Sequence, residues 1–414
     1  MQRSAFIICV IVSGLLAILS VIALSILSIL FHWMVLKNTR LDDTNSLIYK
    51  QWLQPSVPIY LQFYFFQLSN PVMFQNGSKP HVIQQGPYTY RERRFKQHVV
   101  VNWHNHTIRY REIKQYHFER DLSVGPESDQ ITTVNLVYLS LAQRLGSLPT
   151  FIIRLIEQFE RMSGEGLFVR RNVSELLWGY EDPLLHFLKK FISVPTSRIG
   201  LYLDRNNSDG VDVEIDTGLE NPALFGTIRL YNGSRYQTCW TTDQANQVNG
   251  TDGSLFHPFL QPDEGLYIFA PDICRSIYFT PRSVSRIRGV ATVKYLPLED
   301  TFDSPLINEK NRGFCLHWPY CMKSGVLDMS TCQPGAPIVI SMPHLVHVSS
   351  KFVLRVQFCC VNVFVGRSER WVFEPREGEL GVNASGHIVR GFCLIQMALA
   401  NVLILRPLRG NMIN

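Results

Sequence analysis

Charge is what this chain has least of. Only 18% of its 414 residues are Asp, Glu, Lys or Arg, where soluble domains average about a quarter. Aromatics are plentiful at 12%, which excludes a disordered chain, rich in charge and poor in rings. No Cys-x-x-Cys pair exists among the nine cysteines, which disfavours a zinc ribbon or a thioredoxin-like centre. Gly-x-Ser-x-Gly, His-Glu-x-x-His, Walker-type and Gly-x-Gly-x-x-Gly motifs are all missing. No catalytic residue, metal or cofactor is therefore expected, and the chain is read as a non-enzyme. There is no long basic stripe, so nucleic acid is not an expected partner despite a net charge of +6. Internal repeats and low-complexity segments are lacking too.

The scarcity of charge is concentrated. Between Ser4 and Leu36 there is no Asp, Glu, Lys or Arg, a run of 33 residues. A bilayer core needs about 20, and a cleaved signal peptide has an apolar region of only roughly 7–15. The run ends in Phe31-His32-Trp33-Met34, a poor cleavage site, and Trp33 stands where an interfacial anchor belongs. Residues 1–36 are read as a cytosolic stub and a retained transmembrane signal anchor.

Flanking charge does not orient this helix, since Arg3 faces Lys37, Arg40 and Lys50 across it. Glycosylation acceptors orient it better. Asn76, Asn105, Asn172, Asn206, Asn232, Asn249 and Asn383 each begin an N-x-S/T sequon, which places the bulk of the chain in a lumenal or extracellular space. Cysteine usage agrees. Cys274, Cys315, Cys321 and Cys332 cluster, and two disulfides formed in an oxidising compartment fit them, with three connectivities open.

After a connector at 37–56 come short β-prone runs at Val57–Leu68, Tyr88–Phe95, His98–Trp103, Thr107–Arg111, Gly200–Leu203, Val211–Ile215, Thr227–Tyr231, Leu266–Phe269, Ser276–Thr280, Ala291–Tyr295 and Pro337–Ser341. Short strands at this spacing predict an antiparallel sheet or barrel. A helical region interrupts them. Thr132–Leu145 is weakly periodic. From Phe151 to Met162 the apolar residues recur at helical spacing, opposite a face of Arg and Glu. A further helix is expected over Pro183–Phe191. The apolar face of the 151–162 helix either docks on the core or stays exposed to grip a protein or lipid partner. His104 and His106 read as a solvated loop. The acidic pairs Asp42-Asp43, Glu181-Asp182 and Asp263-Glu264 read as surface charge.

Several segments together resemble the class B scavenger receptor family. They are Gln62-Phe63-Tyr64-Phe65-Phe66 with Asn70-Pro71, Gly86-Pro87-Tyr88-Thr89-Tyr90-Arg91, Glu175-Leu176-Leu177-Trp178-Gly179-Tyr180, Asn249-Gly250-Thr251-Asp252-Gly253, Cys274-Arg275-Ser276-Ile277-Tyr278, Ser324-Gly325-Val326-Leu327-Asp328 and Gly335-Ala336-Pro337 with Pro343-His344. They fall in the family's order over roughly residues 5–353. Phe118-Glu119-Arg120-Asp121, Phe256-His257-Pro258 and Gly313-Phe314-Cys315 are most similar to the lysosomal integral membrane protein branch.

The resemblance implies a mainly β (α+β) fold: an antiparallel β-barrel ectodomain over 37–353, a helical apex at about 132–191 and a lipid-carrying hydrophobic tunnel. It implies Cys274–Cys332 and Cys315–Cys321 pairing. It implies a lysosomal membrane receptor for a hydrolase of the β-glucocerebrosidase type, with Phe151, Ile152, Leu155, Ile156 and Phe159 as partner contacts. The alternative is a cell-surface receptor taking up fatty acid, phospholipid, cholesterol or lipoprotein.

The resemblance ends near Lys351-Phe352-Val353. Residues 354–414 show no family strands, second membrane span or sorting tail, and they read as an alternative ending from a splice variant or a wrong gene model. Endoplasmic reticulum or plasma membrane residence is then possible. Residues 118–185 hold no His, so partner binding is expected to vary little with pH.

Overall fold

The uncharged run forms one continuous helix, α1 (Gln2–Asn38), with a mean hydropathy of 2.8 over its most apolar part and no side chain of that part buried in the protein. At about 1.5 Å per residue it measures roughly 55 Å. The computed structural model describes residues 2–78, 80–144, 150–163, 166–191, 193, 196–287, 290–333 and 338–341, together with strands at 360–365, 393–398 and 402–405.

Beyond α1 the chain turns at Leu41, which is fully buried, and enters α2 (Leu47–Leu53). The Ser46 hydroxyl caps that helix by accepting from the Tyr49 amide at 3.1 Å. Then come β1 (Ile59–Leu68), α3 (Pro71–Gln75), and the long hairpin β2 (Val82–Asn102) and β3 (Thr107–Phe118). Strand β1 buries alternate residues Leu61, Phe63 and Phe65, as a period of two requires. The 132–145 region is not one helix. Its start is β4 (Gln130–Val134), paired with β5 (Phe168–Asn172). The β-branched run Ile131-Thr132-Thr133-Val134 favours a strand. The Asn135 side chain then caps α4 (Leu136–Arg144), accepting from the Val137 and Tyr138 amides at 3.0 and 3.2 Å.

The chain continues through α5 (Thr150–Ser163), α6 (Val173–Trp178), β6 (Tyr180–Glu181), α7 (Pro183–Leu188), β7 (Arg198–Ile199), β8 (Asp212–Asp216), β9 (Ile228–Tyr231), α8 (Asp243–Asn246), β10 (Leu266–Ala270), β11 (Arg275–Ile287), β12 (Val290–Pro297), β13 (Val326–Asp328) and β14 (Ile338–Ser341). Gly200–Leu203, expected as a strand, is a turn following β7. The final strands are β15 (Cys360–Val365), β16 (Cys393–Ala398) and β17 (Val402–Leu405). Residues 354–414, read as showing none of the family's strands, supply these three. Runs such as Val361-Asn362-Val363-Phe364-Val365 and Val402-Leu403-Ile404-Leu405 have strand composition, and they pair with the sheets.

The larger sheet has nine strands in the order β13-β14-β16-β15-β1-β2-β3-β8-β9, and a second has the order β10-β11-β12-β17. Pairings are antiparallel except where β16 lies parallel to β14 and β15. Among the described residues the sheets do not close into the expected barrel. What joins β13 and β14 to the second sheet is side-chain packing rather than ladder bonds: Leu327, Ile338 and Ile340 share a core with Ile277, Phe279, Val293 and Tyr295. At the other edge, Ile228 donates to the Gly250 carbonyl at 2.8 Å, and Thr251 bridges to Ile268. Gly250 has φ +81, and a Cβ there would lie 1.9 Å from the Tyr267 carbonyl oxygen, so no other residue permits this approach.

The helices cap one end. Val137, Ile152, Ile156, Leu184 and Leu188 from α4, α5 and α7 form their own core. Beneath them Leu61, Phe63, Phe65, Tyr88, Tyr90, Val173 and Leu177 form another.

Candidate functional site: an interior cavity and a helical face

Strand β3 turns one face inward, carrying Tyr110, Glu112, Lys114 and Tyr116 at a spacing of two. They line a cavity of about 260 Å³, whose far walls include Tyr202, Tyr231, Asp252 and Phe269. On neighbouring β2, Glu92, Arg94 and Lys96 stand at the same spacing, in register with Tyr116, Lys114 and Glu112 but outside the cavity's lining.

These charges are neutralised in place. Arg94 contacts Glu92. Lys96 is almost wholly buried; its Nζ donates to the Trp52 carbonyl at 3.1 Å and to Glu112 at 3.3 Å. The same ammonium stands 5.2 Å from the ring centroids of Trp52 and Tyr110. Asp252 accepts from the Tyr110 hydroxyl at 3.4 Å and from the Ser254 amide at 2.9 Å. Burial acts to raise the Asp252 carboxyl, but Lys96, Ser254 and Arg94 outweigh it and hold it below the usual carboxylate range. Burial pushes the hydroxyls of Tyr110, Tyr116 and Tyr202 far up, so they stay neutral donors. The cavity thus combines apolar and aromatic surface with fixed hydroxyls and internally balanced charge. Those features suit an amphiphile.

On the helical cap, the five residues named as partner contacts separate. Ile152 and Ile156 are 0% and 5% exposed and belong to the cap's core, which corrects their assignment as contacts. The period of 3.6 that made them conspicuous is the period of a docked face. Leu155 and Phe159 pack at the margin of that core, Phe159 with its ring 5.3 Å from Phe187. Phe151 is 56% exposed. Met162, which was not singled out, is 79% exposed on the same helix.

Two disulfides are formed, Cys274–Cys332 and Cys315–Cys321. Cys239 is free, and burial raises its thiol. Among the sequon asparagines, Asn76, Asn105, Asn206 and Asn232 are exposed, whereas Asn172 and Asn249 are half-buried. Asn172 also caps α6. Its Oδ1 accepts from the Glu175 amide at 2.7 Å, and Glu175 accepts from the Asn172 amide at 2.9 Å. Asn383 lies outside the described residues. His104 and His106 lie in or next to the β2–β3 turn. Among the described residues no group of three or more His, Cys, Asp or Glu side chains is placed to hold a metal.

Comparison with known proteins adds three findings. The model of the CD36 family matches residues 7–357. Lysosome membrane protein 2 of Rattus norvegicus is 38% identical over 312 residues, covering 75% of this chain and 64% of that protein; the Homo sapiens protein is 37% identical over 311 residues, with the same coverage. Scavenger receptor class B member 1 of Bos taurus is 33% identical over 333 residues, covering 80% of this chain and 64% of that protein. The chain therefore matches just under two thirds of the length of these relatives.

Proposed function

The chain belongs to the CD36 family, and from that premise we propose that it is a lysosomal membrane receptor whose lumen-facing ectodomain, residues 37–353, carries a lipid in its interior cavity. The observation behind this reading is the cavity of about 260 Å³ between β3, β8 and β9. Tyr110, Tyr116 and Tyr202 offer hydroxyls to a polar head, and Val213, Ile228 and Phe269 offer apolar wall to a chain or ring system. The relatives are named as a receptor and a membrane protein rather than for a catalytic activity.

The test uses the full chain purified in mild detergent. Native mass spectrometry and lipid extraction should find bound fatty acid, phospholipid or sterol. Val213→Trp, which fills the cavity, should lower lipid occupancy at least several-fold while the protein stays folded. Wild type free of lipid, or a filled variant with undiminished lipid, would overturn the reading.

A second reading concerns the helical cap. Phe151 and Met162 stand exposed on α5, as a protein-docking face requires. The proposed partner is a lysosomal hydrolase of the β-glucocerebrosidase type. Pull-down with that enzyme should weaken about tenfold in Phe151→Asp, by about 1.4 kcal/mol. Unchanged capture would sink the assignment.

A further inference from the structure

The motif Phe256-His257-Pro258 lies in a segment, residues 252–264, that touches three parts of the molecule. Asp252 lines the interior cavity. Leu255 packs on the core of Leu41, Ile215 and Phe225, while Phe256 and Leu260 pack with the core of the second sheet. Next to Leu260, Phe259 turns outward with φ +59 and stacks on His32 of α1, with ring centroids 4.3 Å apart and planes 11° from parallel. A bulky residue rarely takes a positive φ, so the surrounding bonds must hold Phe259 there.

Those bonds run through His257 and Glu264. One carboxylate oxygen of Glu264 accepts from the Gln261 amide at 3.1 Å, and the other stands 2.7 Å from His257 Nε2. The Glu264 amide donates to the Gln261 carbonyl at 3.2 Å, and the Gln261 side chain donates to the Phe259 carbonyl at 3.0 Å. His257 Nδ1 stands 3.0 Å from the Pro258 carbonyl oxygen. Both ring nitrogens therefore face acceptors. A neutral imidazole has one N–H and must turn a lone pair toward one of them, whereas the imidazolium donates to both. Among the described residues Glu264 is the charged group that pairs with this ring, and Asp263 beside it is exposed. The titratable group that α1 turns to this segment is His32, and a charge on it strengthens its contact with the face of Phe259. Lys37, further along α1, is engaged over the Trp33 ring at 4.9 Å.

We propose that residues 256–264 form an acid-locked strap between the folded part of the chain and α1. Protonated His257 bonds the Pro258 carbonyl and the Glu264 carboxylate together, and the closed turn holds Phe259 against His32. Histidine is the side chain whose charge ordinarily changes between about pH 5 and 8. The joint therefore tightens at acidic pH and loosens toward neutrality, as one of the two ring bonds is lost.

Hydrogen–deuterium exchange mass spectrometry of the full chain in detergent tests this at about pH 5.5 and about pH 7.5, on either side of the histidine range, with labelling times scaled for the intrinsic exchange rate. The Gln261 and Glu264 amides read the strap, and strand β1, which holds no His, is the internal reference. The expected result in wild type is roughly tenfold greater protection of the two strap amides at the lower pH, the worth of about one charge-assisted hydrogen bond. The difference should be lost in His257→Gln, whose side chain does not titrate. It should persist in His32→Leu, which removes the other titratable ring. Wild-type strap exchange that is equal at the two pH values, or a difference that survives undiminished in His257→Gln, would overturn the assignment.

Discussion

Replacing Lys96 by Met tests the charge balance of the interior cavity. The ammonium is 1% exposed as a side chain and bonds the Trp52 carbonyl and Glu112. It also supplies the largest of the influences that depress Asp252. Removing one partner of a buried pair costs about 3–5 kcal/mol. The low end applies here, about 3 kcal/mol or about 6 °C in Tm, because Glu112 keeps Lys114 at 3.9 Å and Asp252 keeps Arg94. In wild type the depressed Asp252 carboxyl stabilises the fold at every pH above its unfolded value of about 4, and that contribution is lost only as pH falls through the lower folded value. In the variant only Ser254 and Arg94 still oppose burial, so Asp252 titrates closer to its unfolded value and contributes less to stability. The expected outcome is a Tm loss that is full at pH 7 and shrinks as pH falls below about 4, with a charge-balanced Lys96→Met/Glu112→Gln pair more stable than Lys96→Met at pH 7. A loss undiminished below about pH 4, or no rescue by the pair, would refute the reasoning.

Three further outcomes are expected. Ile152→Ala and Ile156→Ala should each destabilise by about 2–5 kcal/mol, whereas Phe151→Asp should change stability by only about 0.5 kcal/mol or less; chemical denaturation distinguishes them. Opening Cys274–Cys332, with a sequence separation of 58, should cost about 4 kcal/mol, against about 2 kcal/mol for Cys315–Cys321 with a separation of 6, read as the order in which reductant lowers Tm. Asn172→Ala should remove both a sequon and a cap, losing about 1 kcal/mol, while Asn172→Asp should keep the cap. Stability and glycosidase-dependent gel mobility of the two variants separate the roles, and equal stability would show that the cap contributes nothing.

Some of this was legible in the residues. Val57–Leu68 reads as a strand from its Tyr and Phe content and Thr107–Arg111 as one arm of a hairpin around a polar turn, and strands stand at Ile59–Leu68 and Thr107–Phe118. The motif Gly86-Pro87-Tyr88-Thr89-Tyr90 stood out as a resemblance, and its physical content is now visible. Tyr88 and Tyr90 are buried, with their hydroxyls donating to Asp129 and Glu127 at 2.8 and 2.7 Å. The cavity was not legible. Along β2, Glu92, Arg94 and Lys96 alternate with Arg91, Arg93 and Phe95, so both faces carry charge and alternation cannot say which is interior. Local pattern could not register a buried charge array that is balanced across strands. The apolar stripe of α5 misled for the opposite reason. Periodicity finds the whole apolar stripe, but not that its middle docks while Phe151 and Met162, at its edge, stay exposed.

The length of α1 acquires a mechanical meaning beside these sites. A helix of roughly 55 Å exceeds a hydrocarbon core of about 30 Å by several turns. Those turns do not trail loosely. His32 stacks on Phe259 with ring centroids 4.3 Å apart, and Leu41, just past the helix, donates to Thr217 and is buried in the base of the sheet. The folded part is therefore mounted on a mast rather than a leash, and its cavity and its cap stand at set distances from the helix instead of swinging on a tether.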